Sequence, residues 1–438
     1  MSLQFITGNS GNGKTKYLFN RIVKEAKANP RDNYLVIVPE QFTMQTQRQL
    51  VDLSENKAIM NIDVLSFKRL AYRVFDELGI TNLTVLEETG KNLVLRKLAA
   101  QEADKLGVIG RNLNRIGYIS EVKSLLSELV QYNISPEELG RYIASGRLSD
   151  TLSDKLKDVL VLYEAFEKFM QDKYITAEEI LNVLSNVAEE SAILRNSVIA
   201  FDEFTGFTPI QNQLIKKLFV ISKKIYVTLT IDCREDIFKS RGMQELFDMP
   251  KRTVKSLTEM AAFYGIEVEE PIILDKNYRL AENEELSFME QQLFRKRRCS
   301  FKKVPKHIHI DCLRDPKQEL TKIARRINEL VRNENLRYRD IAIVTGDVNI
   351  YAGYVREIFD KYNIPYFIDA TQEILFHPFI EFIRSIPDIA AQHFSADAVF
   401  RFLRCGFSEL LDSEIDVLEN YVLACGVRGK SAWDKKWV

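Results

Sequence analysis

Glycine and proline are scarce in this chain, whose 438 residues include only 18 glycines and 11 prolines. This composition excludes collagen-like proteins, Gly/Ser-rich linkers and low-complexity sequence, and it favours a helix-rich fold. No stretch reaches the ~20 consecutive apolar residues that a membrane-spanning helix requires. The N-terminal apolar residues also lack the basic segment and cleavage site of a secretory signal peptide. We therefore expect a cytoplasmic protein that does not interact with membranes.

Cysteine is also infrequent, and its five copies are scattered. They are Cys233, Cys299, Cys312, Cys405 and Cys425. Because no two of them form a C-x-x-C pair, the sequence indicates neither a disulfide framework nor a zinc site.

No charge of one sign dominates the chain. The 61 basic and 62 acidic residues give a net charge of −1, so the whole-chain charge does not indicate nucleic-acid binding. Residues 295–306 (RKRRCSFKKVPK) are a local exception, with seven basic residues and no acid. Arg295, Lys296, Arg297 and Arg298 could neutralise the phosphates of a DNA strand. The alternative interpretation is a solvated connector between domains.

The N-terminal sequence predicts a βαβ unit. A short apolar strand at residues 3–7 is followed by a glycine-rich turn and by a helix from Lys14 to about residue 28. Residues 34–38 (YLVIV) form a β-branched run that suits a strand buried on both faces of a parallel sheet. This order predicts an α/β fold.

The middle of the chain is predicted to be a helical insertion. Between about residues 81 and 190 the pattern is helical, with capping boxes that begin at Ser135 and Thr176. Strands return at residues 197–201 (SVIAF) and 224–229 (KIYVTL), so the insertion interrupts one sheet.

A second α/β alternation is predicted after the basic run. It comprises strands at residues 307–313, 341–344 and 366–369, with a long helix at about residues 318–332. Past Pro378 the sequence becomes helical again.

A phosphate-binding loop lies between the first strand and the first helix. Its residues fit the pattern G-x-x-x-x-G-K-[ST]: Gly8, Asn9, Ser10, Gly11, Asn12, Gly13, Lys14 and Thr15. Backbone N–H groups of such a loop and the helix N-terminus face a polyphosphate. Lys14 is expected to reach the β- and γ-phosphates of ATP, and Thr15 to ligate Mg²⁺.

The strand at residues 197–201 ends in Asp202 and Glu203. Ligands of open α/β sheets bind at the carboxyl ends of the strands, where these two carboxylates are expected. We predict that Asp202 is the second Mg²⁺ partner and that Glu203 is the base that orients water.

Several segments resemble superfamily 1 DNA helicases of the UvrD/Rep type. Residues 202–211 (DEFTGFTPIQ) resemble motif II, and residues 277–279 (NYR) resemble the segment that opens motif IV. Residues 336–343 resemble the entry to the second motor domain. Residues 63–67 (DVLSF) resemble the T-F-H-S segment that contacts DNA, which implies that Ser66 and Phe67 are DNA contacts.

Within that superfamily, the chain resembles the B subunits of bacterial AddAB helicase–nucleases. The resemblance rests on the P-loop near the N-terminus and on VPEQFT at 38–43, VLSFKRLA at 64–71, HPFI at 377–380, ENYV at 419–422 and RGK at 428–430. It implies a RecA-like P-loop domain at 1–80 and 195–275, a helical insertion at 81–194, a basic connector at 276–306, the start of a second RecA-like domain at 307–380 and a helical region at 381–438.

The family resemblance also implies a role and a partner. Such subunits process DNA double-strand breaks and recognise Chi beside an AddA-type subunit. Their nuclease, with its [4Fe-4S] cluster, is expected beyond Val438, since no segment here matches it.

The chain departs from active helicases at the groups that couple ATP to movement. Thr205 and Gly206 replace the Gln and Asp of motif II, Glu235 stands at the Gln of motif III, and no Gln motif precedes the P-loop. The resemblance therefore implies a pseudo-helicase that binds ATP and is at most a weak ATPase. Two alternatives stay open: a fragment of an active UvrD-like 3′–5′ helicase, and a P-loop ATPase with a protein partner and no DNA.

Overall fold

A parallel sheet with helices on both faces forms the centre of the first of two units. The structure, a computed structural model, describes residues 1–81, 84–108, 110, 117–145, 148–170, 174–295, 299–369 and 374–437. Its units are Met1–Ile308 and His309–Val438. The strands are β1 (Ser2–Gly8), β2 (Tyr34–Ile37), β3 (Ile62–Leu65), β4 (Val85–Leu86), β5 (Ile175–Thr176), β6 (Val198–Phe201), β7 (Lys224–Thr230), β8 (Glu267–Val268) and β9 (Ile272–Leu274).

The helices of the first unit surround this sheet and build the insertion. They are α1 (Lys14–Ala28), α2 (Thr43–Leu53), α3 (Phe67–Leu78), α4 (Glu88–Gln101), α5 (Tyr118–Gln131), α6 (Pro136–Ala144), α7 (Asp150–Met170), α8 (Ile180–Val187), α9 (Pro209–Ile221), α10 (Asp248–Phe263) and α11 (Glu284–Gln292). The second unit contains α12 (Pro316–Asn333), α13 (Val348–Lys361), α14 (Pro378–Ala391), α15 (Ala396–Leu403), α16 (Asp412–Cys425) and α17 (Lys430–Trp433). Within the described ranges, none of these helices is long and apolar enough to cross a membrane.

The main sheet confirms the predicted α/β fold. Its strand order is β3-β2-β6-β7-β1-β8, β9 also pairs with β1, and every pair is parallel. The four strands predicted around 3–7, 34–38, 197–201 and 224–229 form β1, β2, β6 and β7.

The apolar strands are buried on both faces because successive side chains of a strand point in opposite directions. In β2, Leu35 and Ile37 face the side that α3, α8, α9 and α10 cover. Tyr34 and Val36 face the opposite side, which α1 and α2 cover. A continuous apolar run therefore serves both layers, as is typical of parallel sheets.

The helical insertion lies in the chain between β3 and β6 and has an apolar core of its own. Leu95, Leu126, Leu162 and Phe166 are among the side chains that α4, α5 and α7 bury in this core. The two-residue strands β4 and β5 pair with each other and were not predicted from the sequence. The capping box predicted at Ser135 is confirmed at the start of α6.

A buried ammonium group connects the helices of the insertion. Lys91 on α4 has a side chain that is only 3% exposed, and its Nζ lies 2.9 Å from Glu88 and 2.7 Å from Glu178. Ser127 on α5 lies 3.4 Å from the same Nζ. Because Lys91 is fully compensated, its charge can remain in the core.

In the second unit, the predicted helices form but the predicted strands do not. The helix predicted at 318–332 is confirmed as α12, which packs against α13. No described residue of this unit lies in a strand, so the strands predicted at 307–313, 341–344 and 366–369 are wrong. Ile310, Val344 and Phe367 remain about nine-tenths exposed. An extended segment becomes a strand only when a neighbouring strand completes its hydrogen bonds.

Candidate nucleotide-binding site

One edge of the sheet collects most of the segments that the sequence analysis singled out. The P-loop follows β1, Glu40 lies shortly after β2, Ser66 follows β3, Asp202 follows β6, and residues 277–279 come shortly after β9. Since all the strands are parallel, these segments leave the sheet at the same edge. This is the edge at which open α/β sheets bind their ligands.

The three P-loop glycines are required by the backbone and by neighbouring protein. Gly11 and Gly13 have φ values of 89° and 80°, which side chains strongly disfavour. A Cβ on Gly8 would lie 2.5 Å from the carbonyl oxygen of Leu274, and one on Gly11 would lie 2.7 Å from Asn277 Oδ1. The loop is thus packed closely against residues 274–279.

The first turn of α1 presents backbone N–H groups at the loop. Gly13 is the N-cap residue, none of the described side chains caps it, and the first turn contains no acidic residue. Unpaired N–H groups and the positive end of the helix dipole make this N-terminus favourable for an anion.

Lys14 lies inside the loop and contacts its backbone. Its Nζ is 3.0 Å from the carbonyl oxygens of both Gly8 and Asn9. Burial lowers the pKa of Lys14 below its ordinary value, while the negative charges of Asp202 and Glu203 oppose this shift. The ammonium group is therefore held against the loop backbone, near the carboxylates of Asp202 and Glu203.

Thr15, Asp202 and Glu203 converge on one point beside Lys14. The Thr15 hydroxyl lies 3.3 Å from Asp202 Oδ1 and 3.4 Å from Glu203 Oε1. Thr228 on β7 donates a hydrogen bond to Asp202 Oδ1. Asp202 Oδ2 is buried and has no hydrogen-bond partner among the described residues. Burial raises the pKa of Asp202 above its ordinary value, although the Thr228 hydroxyl opposes the shift.

Glu203 has an unfavourable backbone conformation. Its φ is 65°, in the left-handed region that costs a non-glycine residue roughly 1–2 kcal/mol. Strain of this kind concentrates at functional sites, where the surrounding structure holds it in place. Here it turns the exposed Glu203 carboxylate toward Thr15.

A cleft of about 730 Å³ opens beside these groups. Its lining includes four side chains to which the sequence analysis gave no role: Gln49, Asp52, Tyr278 and Arg279. Tyr278 is 65% exposed, and its ring would lie 3.5 Å from a Cβ on Gly13. The Arg279 guanidinium contacts Ser10 Oγ at 3.3 Å. The N-Y-R pattern could have identified the last two, whereas no pattern marks Gln49 or Asp52.

Ser66 and Phe67, the predicted DNA contacts, are buried. The Phe67 ring is 7% exposed and packs on Phe201, Phe204 and Phe207. The Ser66 hydroxyl caps α3 and donates a hydrogen bond to Glu40 at 2.5 Å. In this conformation the Phe67 ring belongs to the core, so its DNA contact stays a prediction without support from exposure.

The basic run divides into parts with different surroundings. Arg295 pairs with the buried Asp232 at 2.7 Å and stacks on Phe247, and its contact with DNA stays a prediction. Lys296, Arg297 and Arg298 lie outside the described residues and stay predictions. The lysines of the run that follow are all exposed: Lys302, Lys303 and Lys306.

The segment that replaces motif III is occupied by ion pairs. Asp232 accepts hydrogen bonds from both Nε and Nη2 of Arg234. Glu235 pairs with Lys251 on α10 at 2.7 Å. Its carboxylate therefore has a partner on α10, and it does not line the cleft beside the P-loop.

Comparisons with known proteins identify the family. A family model described as "ADDB, N-terminal" matches residues 5–290. Over its whole length the chain is 38% identical to the B subunit of the ATP-dependent helicase/deoxyribonuclease of Lachnoclostridium phytofermentans. It is 34% identical to the proteins of the same name from Clostridium acetobutylicum and Clostridioides difficile. In each case it spans 38% of the relative's length. The chain therefore belongs to the AddB family and corresponds to the N-terminal part of its members.

Proposed function

We propose that this chain binds Mg²⁺–ATP at the P-loop and forms the pseudo-helicase part of an AddAB-type B subunit. The observation that carries the proposal is the convergence of Lys14, Thr15, Asp202 and Glu203 beside the uncapped N-terminus of α1. The orphaned Oδ2 of Asp202 fits a metal partner, because a buried carboxylate oxygen without a hydrogen bond is otherwise costly.

The residues of the site divide the work of binding. The loop N–H groups and Lys14 hold the β- and γ-phosphates, and Thr15 with Asp202 holds Mg²⁺. The metal, when bound, neutralises charge on the phosphate oxygens. Glu203 is near enough to orient an attacking water, so slow hydrolysis is part of the proposal. Tyr278 offers an exposed ring on which an adenine base can stack, and Arg279 adds a positive charge near the phosphates.

Lys14→Ala tests the nucleotide site. Removing the ammonium group deletes a charge-assisted contact, and we expect affinity for Mg²⁺–ATP to fall about 100-fold, since such contacts contribute ~1.5–3 kcal/mol. Lys24→Ala is the matched control, because Lys24 is exposed on the same helix and does not line the cleft. Titration calorimetry measures both. Equal affinity of Lys14→Ala and the wild type would refute the site.

DNA binding is the second part of the proposal. With Phe67 buried and Arg295 paired, its support is the exposed end of the basic run. We expect alanine at the three exposed lysines to lower affinity for single-stranded DNA and to flatten its dependence on salt. They are Lys302, Lys303 and Lys306. A control removes the same charge from α7 through Lys155, Lys157 and Lys168. If both triple variants keep the wild-type salt slope, the run is only a connector.

The activity of the whole complex is proposed from the family. An AddA-type partner, double-strand-break processing, Chi recognition and a cytoplasmic location belong to this proposal, as do the nuclease and [4Fe-4S] cluster in the remaining length of the relatives. Because Glu235 pairs with Lys251, we infer that the chain alone does not couple ATP to unwinding. Strand displacement on a blunt duplex that disappears in Lys14→Ala would instead favour the active helicase.

A further inference from the structure

The side chain of Asn9 joins the P-loop to two other segments. Its Oδ1 accepts a hydrogen bond from the N–H of Cys233 at 3.0 Å, just after β7. Its Nδ2 donates to Glu290 Oε1 on α11 at 2.6 Å. Asn9 is only 5% exposed, so water does not readily replace either bond. One carboxamide thus holds the loop, the sheet edge and α11 together.

Polar contacts and half-buried apolar side chains hold α11 in place, and the Phe288 ring lies 5.3 Å from that of Phe301. None of its residues is buried. Besides the Asn9–Glu290 bond, Arg234 donates to the carbonyl oxygen of Gln291 at 3.3 Å. Just past the helix, Arg295 pairs with Asp232. Because no side chain of the helix is fully buried, we expect the loss of one of these bonds to lower the stability of this helix.

The same helix carries the exposed end of the basic run. Lys303 pairs with Glu284 in the first turn of α11. The carboxylate of Glu285 accepts hydrogen bonds from the N–H groups of Lys306 and His307 at 2.7 and 2.8 Å. A change in α11 therefore reaches the lysines to which we assign DNA contact.

A phosphate in the loop competes for a bond that Asn9 makes. Lys14 Nζ contacts the carbonyl oxygens of Gly8 and Asn9. Phosphate oxygens attract an ammonium group more strongly than carbonyl oxygens do, because the bond is charge-assisted on both sides. Binding of nucleotide is therefore expected to remove one of the two hydrogen bonds that the Asn9 carbonyl oxygen accepts, while the other, from the N–H of Asn12 at 3.2 Å, remains.

We propose that Asn9 and Glu290 are positioning residues that transmit the nucleotide state of the P-loop to α11 and to residues 299–306. The proposal rests on the nucleotide site proposed above. Through these two residues, α11 would change when nucleotide binds. Glu235, at the position of the motif III Gln, pairs with Lys251 and does not line the cleft.

Hydrogen exchange with a non-hydrolysable ATP analogue and Mg²⁺ tests this route. In the wild type, we expect slower exchange in residues 8–20, where phosphate binds. In residues 284–295 we expect about fivefold faster exchange, because their link to Asn9 is weakened. In Glu290→Ala, calorimetry should give an affinity up to about fivefold higher than that of the wild type, because a coupling that loosens α11 on binding must weaken binding by the same factor. Residues 284–295 of that variant should no longer respond.

Two further variants separate transmission from a general loss of structure. Glu282→Ala removes the same charge from an exposed position just before α11 and should keep the full response. Glu290→Gln retains a hydrogen-bond acceptor for Asn9 and should restore the response of residues 284–295 to nucleotide. The proposal is overturned if residues 8–20 respond in the wild type while 284–295 do not, or if Glu290→Ala responds like the wild type. No response even in residues 8–20 would refute the nucleotide site itself.

Discussion

Replacing Asp202 by asparagine is expected to stabilise the sheet and to weaken Mg²⁺–nucleotide binding. The carboxylate is 1% exposed, and Oδ2 has no hydrogen-bond partner among the described residues. Asparagine keeps the shape and can still accept the Thr228 hydrogen bond, but it carries no charge. The two effects have opposite signs because the charge that costs stability is the charge that holds the metal.

The direction of the stability change follows from the raised pKa of Asp202. A carboxyl group whose pKa is raised by folding lowers stability at neutral pH. We therefore expect Asp202→Asn to be more stable than the wild type without Mg²⁺. For binding, loss of a carboxylate ligand should lower affinity for Mg²⁺–ATP about 100-fold or more, since even indirect metal partners contribute 10–100-fold.

The same pKa shift predicts how the stability difference between the wild type and Asp202→Asn depends on pH. The folded protein takes up a proton at the raised pKa, whereas the unfolded chain does so only near its ordinary value of 3.8. In the wild type, this group therefore adds stability as the pH falls from 7 through the raised pKa. Below 3.8 its contribution no longer changes, and Asp202→Asn lacks it throughout.

Hydrogen exchange of β6 and β7 amides in EDTA, corrected for intrinsic rates, measures the stability of the sheet without assuming that both units unfold together. The difference between the wild type and Asp202→Asn should shrink as the pH falls. A variant that is less stable at pH 7 and binds Mg²⁺–ATP normally would show that Asp202 is a structural partner of Thr228 and no metal ligand.

Three further changes test other contacts. Lys91→Met leaves the carboxylate of Glu178 without its buried partner and should lower the hydrogen-exchange protection of α4 by ~3–5 kcal/mol. Adding Glu178→Leu should restore most of that protection. Equal protection in the single and double variants would contradict the expected role of the pair. Gly11→Ala should abolish nucleotide binding, because the new Cβ would clash with residues 274–279. Gly79→Ala is the control, since no atom lies within 4 Å of its Cβ, and it should lower stability by only ~1 kcal/mol. Arg295→Ala should leave the salt dependence of DNA affinity unchanged, because Arg295 is paired with Asp232. A weaker salt dependence would instead support the predicted contact between Arg295 and DNA.

Local patterns were enough to predict the glycine-rich turn after β1, α1 and four strands of the main sheet, because each depends on residues close together in the chain. The strand end at Asp202 was also predictable, since it needs only an apolar run followed by acids. Tyr278 and Arg279 were recognised as a pattern but received no role at the cleft. They reach the P-loop from more than 260 residues away, through pairing of β9 with β1.

The buried or paired surroundings of two predicted DNA contacts and the absence of three predicted strands have a common physical cause. Phe67 and Arg295 are of residue types that bind nucleic acids, and nothing nearby in the chain marks them as internal. Phe67 is buried by Phe204 and Phe207, and Arg295 is paired by Asp232, all distant in sequence. The strands predicted in the second unit do not form because an apolar run indicates only that a segment favours an extended conformation. A strand also needs a neighbouring strand with which to pair.

The P-loop glycines carry less functional information here than their motif suggests. Gly8 and Gly11 are required by the close approach of residues 274–279, whatever the loop binds. Packing makes no comparable demand on Thr15 or Asp202. A buried carboxylate with one oxygen unpaired lowers stability, and the strained backbone of Glu203 adds to that cost. Because neither feature improves the fold, both are explained by the site they form, and the proposal that this chain binds Mg²⁺–ATP depends on them more than on the glycines.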